Sequence, residues 1–168
     1  MTATVHAARL TPSAFAPFGR VIDLQELRGR PVNEGRGERC DWPDDLCHAT
    51  PASAPATAVY RLSASPLPFR MALVERHPFS DQLFIPLTGH AFLVAVTVGQ
   101  PAGEVRAFIG RPGQAVLYRA GVWHLPLVAL GAPGTFLMQI WETGDPARDC
   151  ETREIAPLLV EAAADEAG

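Results

Sequence analysis

The sequence predicts an all-β fold, a sandwich or a barrel, on three observations. From Val59 to Glu142, short apolar runs alternate with turn residues. The runs are rich in Val, Phe, Tyr and Trp and are spaced by Gly or Pro, which is the composition of strands and their turns. No segment in that stretch sustains a helical period.

The elements follow in order. Leu10-Thr11-Pro12-Ser13 reads as a helix start, with Thr11 as cap and Pro12 in the first helical position. That helix ends before Pro17 or at Gly19, and Val21-Ile22-Asp23 reads as a strand. Residues 24–56 are polar and broken by Gly, Pro and Asp. They read as a long irregular loop, either a solvated insertion or a lid over a barrel mouth. Strands are then expected at AVYRLSA, FRMALVE, QLFIPL, HAFLVAVTV, VRAFIG, QAVLYR, GVWHLPLVAL and TFLMQIWE. The tail REIAPLLVEAAADEAG reads as a short helix with a frayed end. With no internal repeat and no linker, residues 1–168 read as one domain.

Composition removes several classes of function. Hydrophobic residues make up 48% of the 168 and charged residues 19%, enough to bury a core. The net charge of −4 offers no basic field, so nucleic acid and membrane surfaces are not expected partners. All 14 basic residues are Arg, which excludes a Schiff-base lysine. Cys40, Cys47 and Cys150 form no CxxC spacing, so a reduced compartment is expected. The N-terminus lacks the pattern of a signal peptide, and the apolar stretch Ala91–Val98 is too short to cross a bilayer. The expectation is a soluble cytoplasmic protein.

Two segments carry candidate chemistry. Glu75 and His77 stand two apart, so on a strand they share a face. Gln82 follows near the start of the next strand, and Gly89 closes a turn. Further on come Gly113, Gly121, Trp123, His124 and Pro126, with His124 framed by Trp123 and Pro126. Plainer accounts exist: His77 as a core or turn histidine, Glu75 paired with an arginine, Gln82 bonded to backbone.

The spacing resembles the cupin superfamily, whose motifs are G-x5-H-x-H-x3-4-E-x6-G and G-x5-P-x-G-x2-H-x3-N. Glu75 and His77 stand at the two His positions of the first motif, Gln82 at the Glu and Gly89 at the closing Gly. Gly113, Gly121 and His124 match the second, with Arg119 in place of Pro and Val128 in place of Asn. This implies a cupin-like double-stranded β-helix, a jelly-roll barrel, with short terminal helices. Within the superfamily, ERHPFSDQLFIPL, GVWHLPL, the late Asp149-Cys150-Glu151 and the opening LTPSAFAPFGRVID are similar to the ureidoglycolate lyase family. Leu125 stands where many members carry a second His, and residues 140–144 diverge.

The resemblance implies cleavage of (S)-ureidoglycolate to glyoxylate and urea in allantoin breakdown. It further implies a homodimer, and a divalent metal, nickel in some members. Glu75, His77, Gln82 and His124 stand where cupins hold a metal, and two imidazoles, a carboxylate and an amide oxygen suit a first-row divalent ion. Cleavage needs a base for the substrate hydroxyl and an acid for the departing nitrogen. His77, His124, Glu75 and Tyr118 are the catalytic candidates; Arg76, Gln82 and Trp123 are the substrate-binding candidates. Arg70, Arg106 and Arg119 are alternatives for the carboxylate, and Cys150 reads as structural. Two other functions fit the same pocket: a non-catalytic small-acid binding protein, and a cupin enzyme for another hydroxy or keto acid.

Overall fold

The apolar runs become strands that pair into two facing sheets. The structure, a computed structural model, describes residues 2–43 and 45–164. The chain opens with β1 (Ala3–Arg9), α1 (Pro12–Phe15) and β2 (Gly19–Asp23). A hairpin follows, β3 (Arg30–Val32) and β4 (Gly37–Arg39), joined by a 3-10 turn at Asn33–Gly35. Then come β5 (Ala54–Leu62), β6 (Ala64–Ser65), β7 (Phe69–Arg76), β8 (Gln82–Pro86) and β9 (Phe92–Thr97). After these run β10 (Val105–Gly110), β11 (Gln114–Tyr118), β12 (Val128–Leu130) and β13 (Gly134–Glu142). Helix α2 (Pro146–Asp149) and β14 (Glu151–Ala162) complete the series.

The larger sheet has the order β6-β12-β9-β10-β1-β14-β7, and the smaller β2-β11-β8-β13-β5. Non-sequential neighbours in both sheets give the jelly-roll-like barrel that the motifs imply. The main core lies between the sheets: Phe92, Val94, Val96 and Phe108 from the larger meet Phe84, Val116, Tyr118, Phe136 and Met138 from the smaller. Helix α1 plugs this core with Phe15, whose ring meets Phe108 edge-on at 5.9 Å. Thr11 caps the helix as expected, its hydroxyl accepting from the Ala14 N–H at 3.2 Å.

Strand β9 is buried on both faces. Its second face, Leu93 and Ala95, packs against Met71, Val74, Trp123, Leu125, Leu158 and Val160 of the same chain. The cover for this doubly apolar strand is therefore internal.

Three expectations are corrected. Of the two readings open for residues 24–56, the described residues do not form the lid. Leu24, Leu27, Trp42 and Leu46 pack onto Ile22, Leu83, Ala115 and Leu117, on the smaller sheet's outer face. The segment also contains the β3–β4 hairpin and the start of β5. The described part of the tail is a strand, not a helix, and the frayed end expected at 165–168 lies outside the described residues: residues 151–162 pair with β7 antiparallel and β1 parallel, and the cluster Leu158-Leu159-Val160 gains more from the sheet than from helix propensity. Its one irregularity, between Glu154 and Leu158, falls around Pro157, which cannot donate to a ladder. In GVWHLPLVAL only Val128–Leu130 forms a strand, because Pro126 interrupts pairing.

On β7, Met71 is fully buried against β14 while Leu73 is 37% exposed. Met71→Ala is expected to cost roughly 2–5 kcal/mol of stability, and Leu73→Ala about 0.5 kcal/mol or less. Thermal or denaturant unfolding reads the difference, and equal losses would contradict this burial pattern.

Candidate active site

The site begins as a backbone pairing. Residues 123–125 run between β7 and β9 without being a full strand. The Glu75 N–H donates to the His124 carbonyl and the His124 N–H to the Glu75 carbonyl, both at 2.8 Å. On the other side, the Thr97 N–H donates to the Trp123 carbonyl at 3.0 Å and the Leu125 N–H to the Ala95 carbonyl at 2.8 Å. Directly opposed residues bring their Cβ atoms to about 5 Å, so the pairing puts Glu75 beside His124. The Gly121 N–H donates to the His77 carbonyl at 2.8 Å and extends the pairing. Gly121 has a φ of 79°, and Gly113 one of 83°, a region glycine enters without strain. Gln82 opens β8, opposite Tyr118 of β11 and Ile140 of β13.

The side chains then converge. His77 Nδ1 lies 2.8 Å from the Asp149 carbonyl, and His124 Nδ1 lies 3.0 Å from the Val122 carbonyl. A carbonyl only accepts, so each Nδ1 carries a proton and each Nε2 turns away from it. His77 Nε2 is buried with no hydrogen-bond partner. His124 Nε2 faces Gln82 Oε1 at 3.1 Å and Glu75 Oε1 at 3.4 Å. The other carboxylate oxygen, Glu75 Oε2, accepts from the Cys150 thiol at 3.8 Å. Tyr118 stacks on the His124 ring at 4.1 Å and 15°, holding it flat from behind.

Glu75, His77 and Gln82 line a cavity of about 300 Å³ with Tyr60, Met138, Ile140, Glu142, Gly144, Pro146, Asp149 and Cys150, and His124 lies buried behind them. Exposed Gly144 and Pro146 mark its mouth. Burial pushes the Glu75 carboxyl up, but hydrogen bonds and charge from His124, with help from His77 and Cys150, hold it below its ordinary value. Burial and the neighbouring His124 depress His77, against the pull of the Asp149 carbonyl. Burial, then Glu75, raises the Cys150 thiol to about 11 and also raises the Tyr60 phenol. Both stay protonated near neutrality.

The structure thus brings Glu75, His77, Gln82 and His124 together. It does not bring the other candidates. Arg76 alternates away from the cavity, donates to both Glu151 carboxylate oxygens, and lies 4.7 Å over the Trp123 ring. Trp123 belongs to the second core. Tyr118 is buried, its hydroxyl unpartnered and its pKa raised by burial, so it is a platform for His124 and not an acid. Arg106 pairs with Glu104, and Arg119 donates to the carbonyls of Ala16 and Pro17. No arginine lines the cavity among the described residues. Sequence reading missed Tyr60 and Glu142 as cavity residues. The available signal was alternation along β13, which turns Met138, Ile140 and Glu142 to one side.

The donor set fits a cation. Ligand atoms of Glu75, His77 and His124 all lie within 4.8 Å of one another. The carboxylate, the His77 lone pair and the Gln82 oxygen are all acceptors around one point, so a positive species belongs between them. It is either a proton on His124 Nε2 or a metal ion. An ion with bonds of about 2.1 Å spans about 4.2 Å between opposite ligands, so a modest tightening encloses it. Both rings already have the other nitrogen held by a carbonyl, which fixes their orientation.

Comparison with known proteins places the chain in a family. The ureidoglycolate lyase family model matches residues 2–161. A ureidoglycolate lyase of Burkholderia cepacia is 38% identical over 158 residues, 89% of this chain and 85% of that protein. One of Mesorhizobium japonicum is 40% identical over 139 residues, 80% of this chain and 83% of that protein. Among solved structures, dTDP-6-deoxy-D-glucose-3,5-epimerase RmlC of Legionella pneumophila aligns at a TM-score of 0.48 and 15% identity, covering 81% of this chain and 71% of that one. The chain belongs to the ureidoglycolate lyase family.

The depressed pKa values set an acid dependence of stability in metal-free protein. As pH falls below about 6.5, unfolded His77 binds a proton that folded His77 resists, so stability declines. Below about 4.5, Glu75 adds a further loss as its unfolded form protonates first. Melting temperatures from pH 7.5 to 5 are expected to fall in wild type and to fall less in His77→Gln. A wild-type melting temperature that rises over this range would contradict the assignment.

Proposed function

We propose that this member of the ureidoglycolate lyase family cleaves (S)-ureidoglycolate to glyoxylate and urea, in the breakdown of allantoin and purine nitrogen. The single observation that carries the reading is the convergence of Glu75 Oε1, His77 Nε2, Gln82 Oε1 and His124 Nε2 at one end of the cavity. The substrate carbon bears a hydroxyl, a carboxylate and a ureido nitrogen. Its carboxylate needs a positive partner, and the described cavity lining has no arginine to supply one. That need favours a divalent metal held by Glu75, His77, Gln82 and His124, with nickel proposed from the family resemblance. A bound divalent ion would neutralise the carboxylate and lower the pKa of the hydroxyl.

The chain's own residues carry the protons. Glu75 is kept ionised, and its Oε2, on the Cys150 side, takes the hydroxyl proton. The electron pair left on oxygen forms the aldehyde carbonyl of glyoxylate as the carbon–nitrogen bond breaks. The Tyr60 phenol, kept protonated, donates to the departing ureido nitrogen. The proton on Glu75 then returns to Tyr60. His77 and His124 hold the polarising end of the site, oriented by the Asp149 and Val122 carbonyls.

We place the protein in the cytoplasm as a homodimer acting on a small molecule. Its cysteines are free, which suits a reducing compartment. No helix among the described residues is long and apolar enough to cross a membrane.

Purified protein is expected to release urea and glyoxylate in equal amounts from racemic ureidoglycolate. Binding without turnover would favour the small-acid binding protein instead. His124→Ala is expected to lower turnover by roughly a hundredfold or more, with the fold retained by circular dichroism. Undiminished urea release by that variant would defeat the assignment. Treatment with a chelator is expected to abolish turnover and added nickel to restore it; full activity in protein shown metal-free by elemental analysis would remove the metal from the account.

A further inference from the structure

The cavity lining contains one carboxylate that neither the reaction above nor a hydrogen bond engages. Glu75 is held by His124 and Cys150. Asp149 gives its carbonyl to His77, and its Oδ1 accepts from the Thr143 N–H at 2.7 Å. Glu142 differs. Its backbone carbonyl accepts from the Ser53 N–H at 3.0 Å, while its half-buried carboxylate makes no hydrogen bond or ion pair among the described residues. It lines the same cavity as the cluster.

Strand geometry fixes its place relative to the cluster. Ile140 pairs with Gln82, whose oxygen faces His124. Glu142 is two residues further along the same face of β13, about 7 Å toward the mouth. A substrate held at the cluster by hydroxyl and carboxylate must send its third substituent somewhere. The apolar side chain of Ile140 forms the wall along that route, and Glu142 stands at its end. A ureido group followed by a hydrogen bond of about 2.9 Å covers the gap.

Resting on the lyase reading above, we propose that Glu142 is the specificity-determining residue that recognises the ureido group. A ureido group carries two N–H bonds that point the same way, and a carboxylate accepts both at once, as it does from a guanidinium. The same charge repels a second carboxylate. Hydroxy diacids, which would satisfy the cluster equally well, are thereby rejected. The acidic cavity and the absence of a lining arginine among the described residues then have one explanation: positive charge belongs only at the cluster end, and donors belong at the mouth.

Two ligands separate this role from a general effect on the pocket. N-carbamoylglycine carries a ureido group and a carboxylate; glycolate carries the hydroxyl and carboxylate without the ureido group. Their binding to nickel-supplemented wild type and Glu142→Gln is measured by titration calorimetry. The variant is expected to bind N-carbamoylglycine roughly ten- to a hundredfold more weakly and glycolate within about twofold of wild type. It is also expected to bind the diacid tartronate more tightly than wild type does. Unchanged affinity for N-carbamoylglycine, an equal loss for both ligands, or no binding of N-carbamoylglycine to wild type would each overturn the proposal. Ureido selection with no urea release from ureidoglycolate would refute the lyase reading while leaving the role of Glu142 standing.

Discussion

The reciprocal hydrogen bonds between Glu75 and His124 hold this site together. Two N–H groups and two carbonyls at 2.8 Å lock a strand end to a segment that is itself no strand. The same segment is tied to β9 through Trp123 and Leu125. Everything at the site follows from that double attachment. It sets Glu75 beside His124, lets Gly121 reach back to His77, and turns Trp123 and Leu125 into the second core. The alternation of side chains about this short bridge separates chemistry from packing: Trp123 and Leu125 go one way and His124 the other.

A second constraint acts on the rings. Both histidines give their Nδ1 protons to backbone carbonyls, so both Nε2 atoms point inward. One of those carbonyls belongs to Asp149, at the end of the short helix α2, whose start is capped by Asp145. The next residue, Cys150, donates to Glu75. The Asp149-Cys150-Glu151 segment thus orients two members of the cluster from outside and supplies, through Glu151, the partner that keeps Arg76 away from the cavity. Its place in the family pattern has a physical basis in these contacts.

The sequence was most legible where local chemistry decides structure. Thr11-Pro12 gave a capped helix, and the alternating Val- and Phe-rich runs gave strands. Glu75, His77, Gln82 and His124 were legible as a set because their spacing matched a two-part motif. It failed where tertiary pairing overrides propensity. Strand β1, with its single fully buried residue Ala7, and the Ala- and Glu-rich β14 exist because each completes the other's ladder. Arg76 and Trp123 are neighbours of site residues in sequence, yet they face the other way and stack on each other. Tyr60 and Glu142 were missed because each belongs to the cavity only through pairing of β5 with β13.

The central claim is that His77 and His124 present unprotonated Nε2 atoms to one shared cation while Nδ1 stays bonded to backbone. Nitrogen-15 spectroscopy of histidine-labelled protein, titrated with zinc as a diamagnetic probe, tests it directly. Saturation with one equivalent is predicted to shift both Nε2 resonances together while both Nδ1 protons persist. A shift at only one ring, or loss of either Nδ1 proton, would contradict the account.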